Sequence, residues 1–216
     1  MTQQIKKQLF DYTVDVSQRI ITSDFDTLTA IVQRLLQVKT DGKTIYTAGN
    51  GGSAATASHI CNDLVKGCRV EAKANGDSAV TASHICNDLV KGCRVDEQEG
   101  FKAFCLSDSN AIVTCLANDY SYEDIFSIPL KTFAAPDDVL LVFSGSGRSP
   151  NIISALKTAR SMGVFTIGFS GRDGGLMKDL CDLLLVAPTD SMEQIEDMHI
   201  VYVHALICTL RVFLNQ

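Results

Sequence analysis

The chain has 216 residues, a net charge of -6, 46% hydrophobic residues and 20% charged ones. That suits a single well-buried α/β domain, is short for two, and excludes a disordered chain. The acidic balance offers no electrostatic footprint for nucleic acid or an anionic membrane surface. No apolar run approaches the length of a membrane span, and the opening MTQQIKKQLFDY lacks the apolar core of a signal peptide, so a cytoplasmic protein is expected.

Two helices open the chain. Ile5, Leu9, Tyr12, Val16 and Ile20 recur at helical spacing, and Ser23 or Asp24 caps a second helix through Leu28, Ile31, Leu35 and Val38, ending near Asp41 and Gly42. Short apolar strands then alternate with amphipathic helices, with strands at 44–48, 102–106, 139–143, 165–169 and 183–187. The first four end in small or hydroxyl residues before a helix starts, the pattern of βαβ units and a parallel sheet covered on both faces. A last helix, about 191–214, is apolar almost all round, which implies packing on the sheet and on another subunit. Nothing marks a second domain.

A repeat interrupts this order. Residues 50–74 align without a gap on 75–99, and TASHICNDLVKGCRV at 56–70 recurs letter for letter at 81–95. Two copies do not make a solenoid, so this is a local tandem duplication of 25 residues. It also inflates the cysteine count of eight, because Cys86 and Cys93 repeat Cys61 and Cys68. With no CxxC pair, and with Cys61, Cys105, Cys115, Cys181 and Cys208 inside apolar patterns, buried reduced thiols are expected.

In an open parallel sheet, ligands sit at the carboxyl ends of strands. Ser144-Gly145-Ser146-Gly147-Arg148-Ser149-Pro150 follows one strand directly and leads into a helix. Its glycines allow close approach, its hydroxyls donate, the helix N-terminus favours an anion, and Pro150 suits the first turn. It reads as a phosphate cradle without a Walker lysine, rather than a plain Gly/Ser turn. Gly49-Asn50-Gly51-Gly52-Ser53 follows another strand. With Ala54 it weakly matches a dinucleotide fingerprint, and Asp108 past the next strand keeps that alternative open. Two anion loops on separate strands suit one small phosphorylated ligand better.

The four histidines are His59, its copy His84, His199 and His204. His59 and Asp63 are four apart on a helix and share a face, and Glu196 and His204 share a face on the last helix. Either pair alone is weak, whereas two such pairs point to a common site.

With these residues assembled, the chain resembles the phosphoheptose isomerases, members of the SIS (sugar isomerase) fold. The resemblance rests on GNGGS at 49–53, LSDSNAIVTCLANDY at 106–120, SGSGRSPN at 144–151, GRDGG at 171–175 and IEDMHIVYVH at 195–204, in this order. It implies an α/β SIS fold: a Rossmann-like five-stranded parallel sheet flanked by helices, with the N-terminal helices serving oligomerisation in a homotetramer. It implies a sugar-phosphate isomerase acting through an enediol, most simply on sedoheptulose 7-phosphate. Ser144, Gly145, Ser146 and Ser149 would hold the phosphate, and Asn50, Gly51, Gly52, Ser53, Asp108, Glu193 and Glu196 would line the sugar. Asp63 would be the base and His204 the acid. Some members bind zinc through the positions of His59, Asp63, Glu196 and His204.

The chain departs from the family pattern at two of these positions. Asp63 stands for the common Glu, and Glu196 for the usual Gln. Two carboxylates beside a phosphorylated substrate call for a cation, which favours a zinc ion here. Of the two copies, the first is the expected site-former because its Gly51-Gly52 turn is intact where the second has Asp77. The spare copy would pack elsewhere or swap into a neighbour. The competing reading is a non-catalytic SIS protein that binds a sugar phosphate or a protein partner as a regulator. Retention of Asp63 and His204 argues against it.

Overall fold

The structure is a computed structural model that describes residues 1–67 and 100–214. The whole of the second copy, with His84 and Asp88, lies outside the described residues, as does the expectation of where it packs.

Helix α1 spans Thr2–Ile21 and α2 spans Phe25–Thr40. Asp24, not Ser23, caps α2, with its carboxylate accepting from the Thr27 N–H at 2.9 Å. Then come β1 (Thr44–Ala48) and α3 (Gly52–Asn62), which runs into a π-helical turn at Asp63–Gly67. β2 (Lys102–Cys105), α4 (Asn110–Asp119) and α5 (Ser127–Phe133) follow. The chain ends with β3 (Val139–Ser144), α6 (Pro150–Ser161), β4 (Phe165–Gly171), β5 (Leu183–Ala187) and α7 (Met192–Leu214).

The five strands form one all-parallel sheet in the order β2-β1-β3-β4-β5. Strand alternation divides the core in two. Ile45, Leu141, Phe143, Ile167 and Phe169 face α2, α3 and α7, whereas Tyr46, Leu140 and Val142 face α5 and α6. The predicted strand positions hold to within two residues. Because the chain builds β2 on one side of β1 and β3 on the other, the order reverses between β1 and β3. In this topology a crevice opens beyond their carboxyl ends.

Two expectations need correction. Cys61 and Cys105 are buried, but Cys115 and Cys208 are exposed, and all five described cysteines are free thiols. Their helices place them on outward faces that helical spacing alone does not mark. α7 is, by length and composition, long and apolar enough to cross a membrane. Its apolar character serves the domain, since Ile195, Met198, Tyr202, Val203, Leu206, Ile207 and Leu210 are buried in the sheet-side core. None of the residues of α1 is fully buried, though Val16 and Ile20 pack against the sheet-side core.

Candidate active site

The two anion loops meet at the switch point. Asn50 after β1 and Asn151 at the start of α6 exchange reciprocal amide hydrogen bonds, Asn50 Nδ2 to Asn151 Oδ1 at 2.9 Å and Asn151 Nδ2 to Asn50 Oδ1 at 2.8 Å. Asn151 is almost wholly buried, so this pair sets the spacing of the loops. Tyr122 donates to Asn50 Oδ1 at 3.1 Å. The Ser107 hydroxyl donates to the Gly49 carbonyl and accepts from the Gly49 N–H, tying the first loop to the end of β2. Asp108 follows, half-buried, its N–H directed at the Cys105 carbonyl. Sequence reading missed Asn151, Tyr122 and Ser107. Asn151 closes the SGSGRSPN motif, and an asparagine just after a helix-starting proline was the available signal.

In the second loop, Ser144 and Ser149 share a hydrogen bond between hydroxyls, 3.1 Å apart, with Ser144 nearly buried. Ser146 accepts from the Arg148 N–H. Ser149 is the N-cap of α6 but makes no side-chain cap bond, which leaves the helix N-terminus free to meet an anion. Gly145 sits in the floor, its carbonyl accepting from the Gly171 N–H. Outside, Arg148 pairs with Asp173 at 3.2 Å. The Gly175 N–H and the flanking Lys178 and Arg148 hold the Asp173 carboxyl below its ordinary range.

The first copy of the repeat fills the β1–α3 position, and the contacts explain why. A Cβ at Gly49 would collide with the Ser53 carbonyl, and one at Gly52 would lie 2.5 Å from Glu196 Oε1. The second copy is preceded by Ala74 and carries Asp77 at these two places, so as the chain stands it would bring a methyl into backbone and a carboxylate onto a carboxylate. Gly51 is the N-cap of α3, and Ser53 is buried in its first turn.

Farther along α3, His59, Asp63 and His204 converge, their ligand atoms all within 4.8 Å of one another. His59 Nε2 lies 2.8 Å from His204 Nε2 and 3.3 Å from Asp63 Oδ2. Without a cation, one of the two imidazoles must donate and the other accept. Glu196 does not join this cluster; its carboxylate lies one end of the α3–α7 contact away, over Gly52. Glu193 is exposed at the start of α7, where it accepts from the Ser191 hydroxyl at 2.8 Å. Its carboxyl is lowered by the helix-end N–H and by that hydroxyl. His199 faces the other way, into the core, and its Nε2 donates to the Ser170 carbonyl at 3.2 Å.

A zinc ion fits the His59–Asp63–His204 set. Two imidazoles and a carboxylate with a fourth position left over is a catalytic-type donor set. Tetrahedral zinc keeps its ligand atoms roughly 3.3 Å apart, so the two imidazoles need only a small splay from 2.8 Å.

Comparison with known proteins decides the family. The chain is 32% identical to a phosphoheptose isomerase of Trichlorobacter lovleyi over 95% of its own length and 91% of that protein's. It belongs to the phosphoheptose isomerase family. A second family member, from Paramagnetospirillum magneticum, is 38% identical over 81% of this chain and 79% of its own. A SIS domain is matched at residues 64–171, a span that begins in the first copy and includes the whole of the second. The fold agrees with the phosphoheptose isomerase of Neisseria gonorrhoeae, with a TM-score of 0.79 at 24% identity, covering 98% of this chain and 100% of that one. It agrees equally with that of Francisella tularensis, with a TM-score of 0.80 at 21% identity and coverage of 98% and 99%.

Proposed function

We propose that the chain interconverts a ketose and an aldose phosphate, sedoheptulose 7-phosphate and D-glycero-D-manno-heptose 7-phosphate, through an enediol. The observation that carries the reading is the carboxylate–imidazole cluster of Asp63, His59 and His204, reached along α3 from the two joined anion loops. His59 lies seven residues beyond Gly52, roughly 10 Å along the helix. That separation suits an extended substrate with its phosphate at one end and its carbonyl region at the other.

Isomerisation moves a proton between adjacent carbons, which needs a base at the carbon acid and an acid at the carbonyl oxygen. Ser144, Ser146, Ser149 and the α6 N-terminus hold the phosphate, while Asn50, Ser53, Asp108 and Glu196 surround the hydroxyls. Asp63 turns Oδ2 toward His59 and keeps Oδ1 to take the proton from carbon. His204 donates to the developing oxyanion at the neighbouring carbon and recovers the proton as the product forms. In a zinc-loaded site, His59, Asp63 and His204 would hold the ion, and it would polarise the carbonyl in place of the His204 proton.

A homotetramer in the cytoplasm is part of this reading. Exposed Ile5, Leu9 and Phe10 on α1, with a groove of about 370 Å³ between α2 and α7 lined by Phe25, Leu36 and Phe213, support burial against other copies.

The deciding experiment is incubation with sedoheptulose 7-phosphate in deuterium oxide, followed by NMR with and without added zinc. Aldose formation with deuterium at the carbon beside the carbonyl is expected, and Asp63→Asn or His204→Ala should lower turnover at least about 100-fold. Sugar-phosphate binding with no exchange would instead favour a non-catalytic regulator or a site disabled by the duplication.

A further inference from the structure

Ser170 stands at the end of β4, wholly buried, and among the described residues its hydroxyl has no hydrogen-bond partner. Such a group costs stability unless another state of the protein uses it. Its place in the sheet indicates that state. Ser170 is the register partner of Ser144 on the neighbouring strand. Strand alternation turns both side chains to the α6 face, since Val142 below Ser144 packs in the α6-side core and Gly168 below Ser170 faces Met177 of the same cluster. Ser170 is therefore aimed beneath the α6 N-terminus, one strand spacing from the cradle.

In the structure, the Ser144 and Ser149 hydroxyls bond each other. Each carries a single proton, and a phosphate dianion only accepts. Both hydroxyls can face the phosphate only if the bond between them breaks. Ser144, nearly buried, is then left with lone pairs that no water can reach. Among the buried side-chain atoms of the described residues, the nearby donor without a partner is the Ser170 hydroxyl. The Ser170 backbone is held in the β ladder and by His199 on its carbonyl, so the only change needed is a rotation about χ1.

We propose that Ser170 is a positioning residue for phosphate. Its hydroxyl donates to Ser144 Oγ when the loop is filled and fixes the Ser144 proton toward the ligand. This rests on the reading of the Ser144–Ser149 loop as the phosphate site.

The test is calorimetric titration of wild type and Ser170→Ala with inorganic phosphate, alongside thermal unfolding without phosphate and turnover of sedoheptulose 7-phosphate. One net hydrogen bond corresponds to a loss of about five- to tenfold in phosphate affinity, with KM raised to match and kcat nearly unchanged. Ser170→Thr, which keeps the donor, should restore binding. Because the hydroxyl has no partner among the described residues, Ser170→Ala should leave Tm unchanged or raise it. A merely structural role would lower it. Phosphate affinity equal to wild type, or a clear loss of stability without phosphate, overturns the proposal. Failure of the wild type itself to bind phosphate overturns the loop reading and this inference with it.

Discussion

At Gly52, the aspartate that the second copy would supply meets the carboxylate of Glu196, which sits 2.5 Å from a Cβ built there and must swing aside to admit it. Gly52→Asp should therefore combine overpacking with like-charge repulsion, at a cost of about 1–3 kcal/mol. Thermal unfolding should show Tm down by roughly 3–10 °C, and Glu196→Gln in the same chain should recover part of it. An unchanged Tm would mean that Glu196 has another place to go. His199 offers a second reading at this scale. Burial pushes its imidazole down from 6.5 to about 4, against the smaller opposing effect of the Ser170 carbonyl. The folded protein keeps it neutral, whereas the unfolded chain takes up a proton as pH falls through 6.5. Stability is thus present in full above that value and is lost between about pH 6.5 and 4, by up to about 3 kcal/mol. Urea unfolding of wild type from pH 7 to 4.5 should show this decline, and His199→Gln, which keeps an N–H for the carbonyl, should flatten it.

Among the elements, the strands were legible because each is a short apolar run closed by small residues, and a parallel sheet buried on both faces leaves few other uses for such runs. The anion loops were legible for the same reason that they work, glycines and hydroxyls between a strand and a helix start. What pairs across the sheet was not. Asn50 with Asn151, and Ser144 with Ser170, are brought together by strand order and register, which no local pattern encodes. Glu196 shows the limit of helical spacing. Eight residues from His204 on one face, it was read into the same cluster, yet two turns of α7 carry it to Gly52 while His204 meets His59. α1 is the opposite case, an amphipathic pattern of which only Val16 and Ile20 meet the core while Ile5, Leu9 and Phe10 stay exposed. Its C-terminal half packs Val16 and Ile20 against the sheet-side core, and polar ties from Tyr12 to Asp197 at 2.6 Å and from Gln194 to Asp15 at 2.7 Å hold it to α7. If its apolar face is covered by other subunits, Leu9→Glu with Phe10→Glu should shift the protein to smaller species in light scattering. Tm should also fall at low protein concentration. A monomer in the wild type would refute the assembly.

For the molecule as a whole, the duplication is tolerable because the chain departs and returns at one point. Leu64 and Phe101 are both buried, the Phe101 N–H donates to the Leu64 carbonyl, and Lys39 holds the Gly100 carbonyl at 2.7 Å. Residues added between them lengthen a connection whose ends the core already fixes, and closure entropy grows only slowly with length. Deleting 75–99 should then leave the fold and turnover intact and raise stability by about 1 kcal/mol from the shorter connection, or roughly 2–4 °C in Tm. Deleting 50–74 instead gives a chain of the same length in which Gly49 leads straight into the second copy. That chain keeps Gly49 and gains Asp77 over Glu196. It should be the less stable of the two and the weaker isomerase, and Asp77→Gly should bring it level with the first deletion. Two deletions of equal stability and activity from the outset would show the copies to be interchangeable, and the contact between Gly52 and Glu196 would lose its part in choosing between them.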